Sequence, residues 1–323
     1  LTHRVAVRRQ RDPRCRDASP RLARNRRQGA ARRAVREETR DAHGRWHRPA
    51  AALPSRYGRS RAALRHAARP GALLRGAHAR GAKGEIAWRI AQAIPAASAA
   101  DFNKALLAAL ERGQNAVLLP AAFAADGGAL AAALKDIHFA GAPVLAPVGA
   151  SAAAIEQTFG SALKSRGEQW SALQGAVTAD PLSALAATGK LGLTLEAATA
   201  ELAAWTAFAA KNAPAVKTIG VDAGFVVEGG GNSAQELAVA IAMAVEYFRR
   251  LEAAKVDAKT AAPRFAFSFA IGSQFFPELA KFRAFRLLWS RVVSAYGDAS
   301  LAAQATVHAR TALFNKTVLD PYV

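Results

Sequence analysis

From Lys83 onward, short runs of apolar residues alternate with longer segments whose apolar residues recur at helical spacing. The strand-like runs are residues 87–91, 116–119, 143–148, 174–178, 217–221, 264–270 and 303–308. Between them lie Ala/Leu-rich helical patterns at 101–112, 128–136, 152–164, 195–212, 233–254 and 274–296. Gly113, Gly141-Ala142-Pro143 and Asn212-Ala213-Pro214 punctuate the boundaries. Strands that are apolar throughout, each followed by a helix, predict a parallel sheet covered on both faces. About seven of them in succession predict an α/β fold of the TIM-type (β/α) barrel class. That barrel is incomplete, because closure takes about eight strands. An open doubly wound sheet is the alternative; Glu228-Gly229-Gly230-Gly231-Asn232 lacks the spacing of a dinucleotide-binding turn.

Residues 1–82 follow neither pattern. Residues 1–80 hold 23 Arg, no Lys and 5 acidic residues, so they carry +18 of the net +20. The folded part is close to electroneutral. Three readings of this basic arm stay open: a nucleic-acid-binding extension, a transit peptide, and a GC-rich reading frame translated out of register. Each predicts a disordered Arg-rich segment, because little apolar surface is available to offset its ordering entropy. The single cysteine, Cys15, excludes an intramolecular disulfide framework and points to a reducing, cytoplasmic setting. No apolar run reaches the ~18 residues of a membrane span. The only methionine is Met243, so a piece of a longer chain is expected.

Spacing alone assigns little chemistry. The folded part has two histidines, His138 and His308, far apart and without a nearby cysteine, so no metal site is expected. Asp222 and Glu228 near a strand end give only a weak acid/base hint. On the helix at 274–296, Glu278, Lys281, Arg283 and Arg286 lie on adjacent turns. They read as a structural ion-pair network, Glu278 lying three residues before Lys281, with anchoring of an acidic partner as the alternative.

The C-terminal half carries a specific resemblance. Glu228-Gly-Gly-Gly-Asn-Ser-Ala-Gln-Glu236-Leu-Ala resembles the strand-to-helix turn of methylmalonyl-CoA mutases. So do Val245-Glu-Tyr-Phe-Arg249, Phe267-Ser-Phe-Ala-Ile-Gly272, and Phe275 to Trp289 with its Glu278, Lys281, Arg283 and Arg286. His308-Ala-Arg-Thr311, Asn315-Lys-Thr317 and Asp320-Pro-Tyr322 follow in family order. Trp88-Arg-Ile-Ala-Gln92, Leu110-Glu-Arg-Gly113 and Ala179-Asp-Pro-Leu182 extend a weaker match back toward Lys83.

The resemblance implies a barrel at 83–323 acting on methylmalonyl-CoA and succinyl-CoA by radical chemistry on adenosylcobalamin. The cofactor itself sits in a separate C-terminal domain, so no cofactor is expected on this chain alone. It also implies where the chain departs from catalytic members. Phe225 stands at the substrate-binding His position, Arg310 at a strand-end Gln, and Thr188 near the carboxylate-gripping Arg, with Lys190 close by. A phenyl ring cannot polarise a carbonyl, and a lost Arg removes a bidentate contact. The expectation is the small, non-catalytic subunit of a heterodimer, paired with a catalytic mutase subunit. Gln92, Asp222, Glu228, His308 and Asn315 remain substrate-pocket candidates, for at most weak acyl-CoA binding. A divergent catalytic barrel and a nucleic-acid-binding protein are the alternatives.

Overall fold

The computed structural model describes residues 88–314 and 316. The basic arm at 1–82, Asn315 and the Asp320-Pro-Tyr322 motif lie outside the described residues. In chain order the helices are α1 (Ala99–Glu111), α2 (Ala121–Ala124), α3 (Gly127–Ala133), α4 (Ile155–Ser165) and α5 (Pro181–Thr188). They continue as α6 (Leu195–Asn212), α7 (Gly224–Glu228), α8 (Ser233–Ala253), α9 (Ala258–Ala261) and α10 (Phe275–Ala295). The strands are β1 (Val117–Leu118), β2 (Val144–Gly149), β3 (Gly175–Ala179), β4 (Val216–Asp222), β5 (Phe265–Ile271) and β6 (Thr306–Thr311). All neighbouring pairs are parallel and the sheet order is β1-β2-β3-β4-β5-β6. Each strand lies beside its sequence neighbour, the winding of a half-barrel rather than of a sheet that reverses direction.

The helix starts are locally encoded. Ser98, Asp126, Asp180, Thr194 and Asp257 each accept a backbone N–H in the first turn of the helix that follows. Asn232 and Gln235 form a capping box that starts α8. Glycine is required at the head of β3: Gly175 has φ +118°, and a Cβ there would collide with the Val144 backbone of β2.

Alternation along β5 divides the two faces of the sheet. Phe265, Phe267 and Phe269 point toward α8 and α10. Phe267 meets Trp289 edge-on at 4.9 Å, Phe269 meets Phe285 at 4.9 Å, and Phe248 stacks on Trp289 at 5.7 Å. Each of these rings is buried, contributing on the order of 1.5–3 kcal/mol of apolar transfer. The opposite face of β5 carries Ala266, Ser268 and Ala270, small enough to leave room there.

Two expectations need correction. Residues 88–91 of the expected strand 87–91 do not form a strand, so the described sheet has six strands rather than about seven. The Ile90 N–H is taken by the Asn115 side chain at 2.6 Å, while its carbonyl accepts from both Asn115 and Ala116. The segment docks on the start of β1 but cannot propagate a ladder. The last strand begins at Thr306 rather than 303, because Ala299–Gln304 winds into a 3-10 helix capped by Asp298. Three short helices, α2, α7 and α9, have four or five residues, too few to be separated from loop by periodicity, and α5 has eight. No helix among the described residues is long and apolar enough to cross a membrane.

A buried charge cluster fastens α8 and α10 to the end of β5. Lys281 Nζ donates to Glu236 Oε2 at 2.7 Å and to the Ala270 carbonyl, and lies 2.5 Å from Glu278 Oε2. Glu236 Oε1 accepts the Ala270 N–H at 2.7 Å, and Ser233 Oγ donates to Glu278. The Lys281 and Glu236 side chains are wholly buried. Burial pushes the Glu236 carboxyl up, opposed by Lys281 and the Ala270 N–H. The expected network on this helix is therefore centred on Lys281, with Glu236 as the partner that sequence spacing did not supply. Arg283 is exposed, Arg286 is half-buried, and neither joins an ion pair among the described residues. Removing one member leaves a buried uncompensated charge, so Lys281→Met is predicted to cost about 3–5 kcal/mol in urea unfolding. The double variant Lys281→Met/Glu236→Gln is predicted to recover part of that loss; additive losses would contradict a coupled network.

Candidate functional site

The parallel register brings Asp222, Ser268 and His308 into one row across β4, β5 and β6. Ser268 Oγ lies 3.1 Å from His308 Nδ1. Burial lowers the affinity of His308 for a proton; Asp222 opposes this and Arg310 adds to it. The imidazole is therefore neutral near pH 7. Asp222 Oδ1 accepts the Gly224 N–H at 2.9 Å, which turns the chain sharply out of β4.

Two residues further along β6, Arg310 crosses this row. Its Nη1 donates to Glu228 Oε1 at 2.9 Å, and its guanidinium lies over Gly224 so closely that a Cβ at 224 would collide with it. Glu228 also accepts the Leu313 N–H at 3.0 Å and the Phe314 N–H at 2.9 Å. Burial alone would raise the Glu228 carboxyl, but these donors outweigh it and hold it below the usual range. One carboxylate on α7 thus pins the loop after β6 across the end of β5.

Behind the row, Asp180 joins three elements. Its carboxylate caps α5 through the Ser183 N–H at 3.0 Å, accepts the Asp222 N–H at 2.7 Å, and accepts the Tyr247 hydroxyl of α8 at 2.6 Å. Burial outweighs these bonds and pushes its carboxyl up to about 6. Burial and the neighbouring Asp180 charge keep the Tyr247 phenol protonated.

Of the candidates read from sequence, Asp222, Glu228, His308 and Arg310 converge at these strand ends, and Phe225 sits half-buried on the same short helix α7. Gln92 is exposed and forms no hydrogen bond with the group. Thr188 is exposed at the end of α5, with its hydroxyl bonded to the Ala184 and Lys190 carbonyls. Asn315 lies outside the described residues. Gly224, Ser268, Asp180 and Tyr247 were not singled out by sequence. Asp180, Tyr247 and Ser268 lay inside matched motifs, but the role of Ser268 emerges only from cross-strand register.

Among the described residues no group of three His, Cys, Asp or Glu side chains converges on a metal position.

The raised Asp180 carboxyl makes a pH prediction. An acid whose folded pKa exceeds its unfolded value stabilises the fold while protonated. Its contribution is full below about 3.8 and is lost as pH rises through about 6. The two values differ by about 2 units, so the loss amounts to up to about 3 kcal/mol. Urea unfolding of the chain and of Asp180→Asn between about pH 4 and 7 should show the wild-type stability falling relative to the variant. A constant difference across that window would contradict the assignment.

Similarity to known proteins agrees with this geometry. The methylmalonyl-CoA mutase family profile matches residues 128–323. The small subunit of methylmalonyl-CoA mutase from Streptomyces virginiae is 32% identical over 237 residues, 73% of this chain and 38% of the relative. That of Porphyromonas gingivalis is 39% identical over 117 residues, 36% of this chain and 19% of the relative. The large subunit from Streptomyces virginiae is 32% identical over 117 residues, 36% of this chain and 16% of that protein. The chain thus spans at most 38% of the length of these relatives. A profile match over more than half of the chain, with small subunits among its relatives, shows that the chain belongs to the methylmalonyl-CoA mutase family and is of the small-subunit type.

Proposed function

We propose that this chain is a small-subunit-like part of a TIM-type barrel, residues 83–323, that supports the cobalamin-dependent interconversion of methylmalonyl-CoA and succinyl-CoA without performing it. The catalytic partner subunit of a heterodimer, in the cytoplasm, would supply the adenosylcobalamin domain and the radical step. The observation that carries this reading is Arg310 fastened over Gly224 to Glu228, beside Phe225. A thioester carbonyl at these strand ends would meet a phenyl ring where an imidazole donor is expected, and a guanidinium already committed to an internal carboxylate. The row's other polar groups are also engaged internally: Ser268 with His308, and Asp222 with the Gly224 N–H. This supports positioning and packing roles over turnover.

A second reading, a divergent catalytic barrel, draws on the match to large subunits and on the neutral imidazole kept at the strand ends. Mixing the 323-residue chain with an adenosylcobalamin-loaded catalytic mutase subunit separates the two. The small-subunit reading predicts co-elution in equal proportion on size exclusion, and no isomerisation of methylmalonyl-CoA by the chain with added adenosylcobalamin. Isomerisation by the chain without a partner, or failure to co-elute, would contradict it.

A further inference from the structure

The opposite end of the sheet carries two cations that this function does not use. Arg264 immediately precedes β5 and is 8% exposed. Its Nη1 donates to the carbonyls of Ala213 (3.0 Å), Pro214 (3.1 Å) and Val216 (2.8 Å), tying the loop ahead of β4 to the start of β5. Its Nε is buried without a hydrogen-bond partner, and Nη2 makes no bond among the described residues. Lys217, the second residue of β4, is half-buried and donates one of its three protons to the Pro263 carbonyl at 2.8 Å.

No carboxylate lies within 4.0 Å of either cation among the described residues. Neighbouring carbonyl dipoles solvate the charges only partly, so two adjacent desolvated cations are costly without a counter-charge. Burial and then the Arg264 charge lower the Lys217 ammonium to about 8, as expected of a cation lacking an anion.

We propose that Lys217 and Arg264 form an oxyanion-binding site at the start of β4 and β5, taking a phosphate or carboxylate group between the Lys217 ammonium and Nη2 of Arg264. The geometry resembles other Arg/Lys oxyanion sites: a planar fork held rigid by backbone acceptors and a mobile point charge beside it. It lies at the far end of the sheet from Arg310 and does not depend on the subunit reading.

Thermal melts of the full chain at fixed pH and ionic strength test it, with chloride replaced by inorganic phosphate in one arm and by acetate in another. Phosphate is expected to raise Tm by about 3 °C and to saturate. A rise with acetate as well assigns the site to carboxylates too, and a rise with phosphate alone assigns it to phosphate. Lys217→Met is expected to abolish the rise and, by removing an uncompensated charge, to melt above the wild type in chloride. A rise that persists in the variant, or a variant less stable than wild type in chloride, overturns the proposal. Should Lys217→Met fail to fold, protection of Lys217 in the wild-type chain from an amine-reactive ester decides. Phosphate slowing its modification at least threefold relative to chloride supports the site, and equal rates overturn it.

Discussion

Three donors from one side of the sheet converge on the carboxylate of Glu228: the Arg310 guanidinium and the Leu313 and Phe314 amides. The convergence spans β5, since Glu228 follows β4 and the donors belong to β6 and its loop. It is possible because residue 224 has no side chain, so the guanidinium can cross the turn. A charge-assisted cluster with three acceptor contacts is stiff and resists rearrangement. The loop after β6, the exit from β4 and the open face of β5 are therefore set together. The same contacts commit the Arg310 guanidinium and the Leu313 and Phe314 amides to one internal carboxylate.

The two ends of the sheet use charge in opposite ways. At the strand ends the two cations have internal carboxylate partners: Arg310 with Glu228, and Lys281 with Glu236 and Glu278. At the strand starts, Arg264 and Lys217 are held by carbonyls alone. In (β/α) barrels the strand ends carry chemistry and the strand starts carry stability. Here the strand ends hold the internal pairing of Arg310 with Glu228 and of Lys281 with Glu236.

Much of this was legible in the sequence, for reasons that differ by element. β5, α8 and α10 were recognisable because an apolar strand and helically spaced apolar residues leave a periodic trace, and the end of β6 because His308 and Arg310 stood in a motif. The segment at 87–91 misled because its apolar character looks like a strand, while the decisive fact is an Asn115 side chain that captures the Ile90 N–H. The burial of Glu236 against Lys281, 45 residues apart, has no local signature. The row Asp222–Ser268–His308 depends on strand register, which no single segment encodes.

The central claim is that the internal ion pair has closed the strand ends to substrate. Isothermal titration of the chain with succinyl-CoA measures this directly. The account predicts no saturable heat that is lost in His308→Ala, since binding at Lys217 and Arg264 would survive that substitution. Saturable micromolar binding that disappears in His308→Ala would contradict it, because it would mean that the strand ends still grip an acyl-CoA.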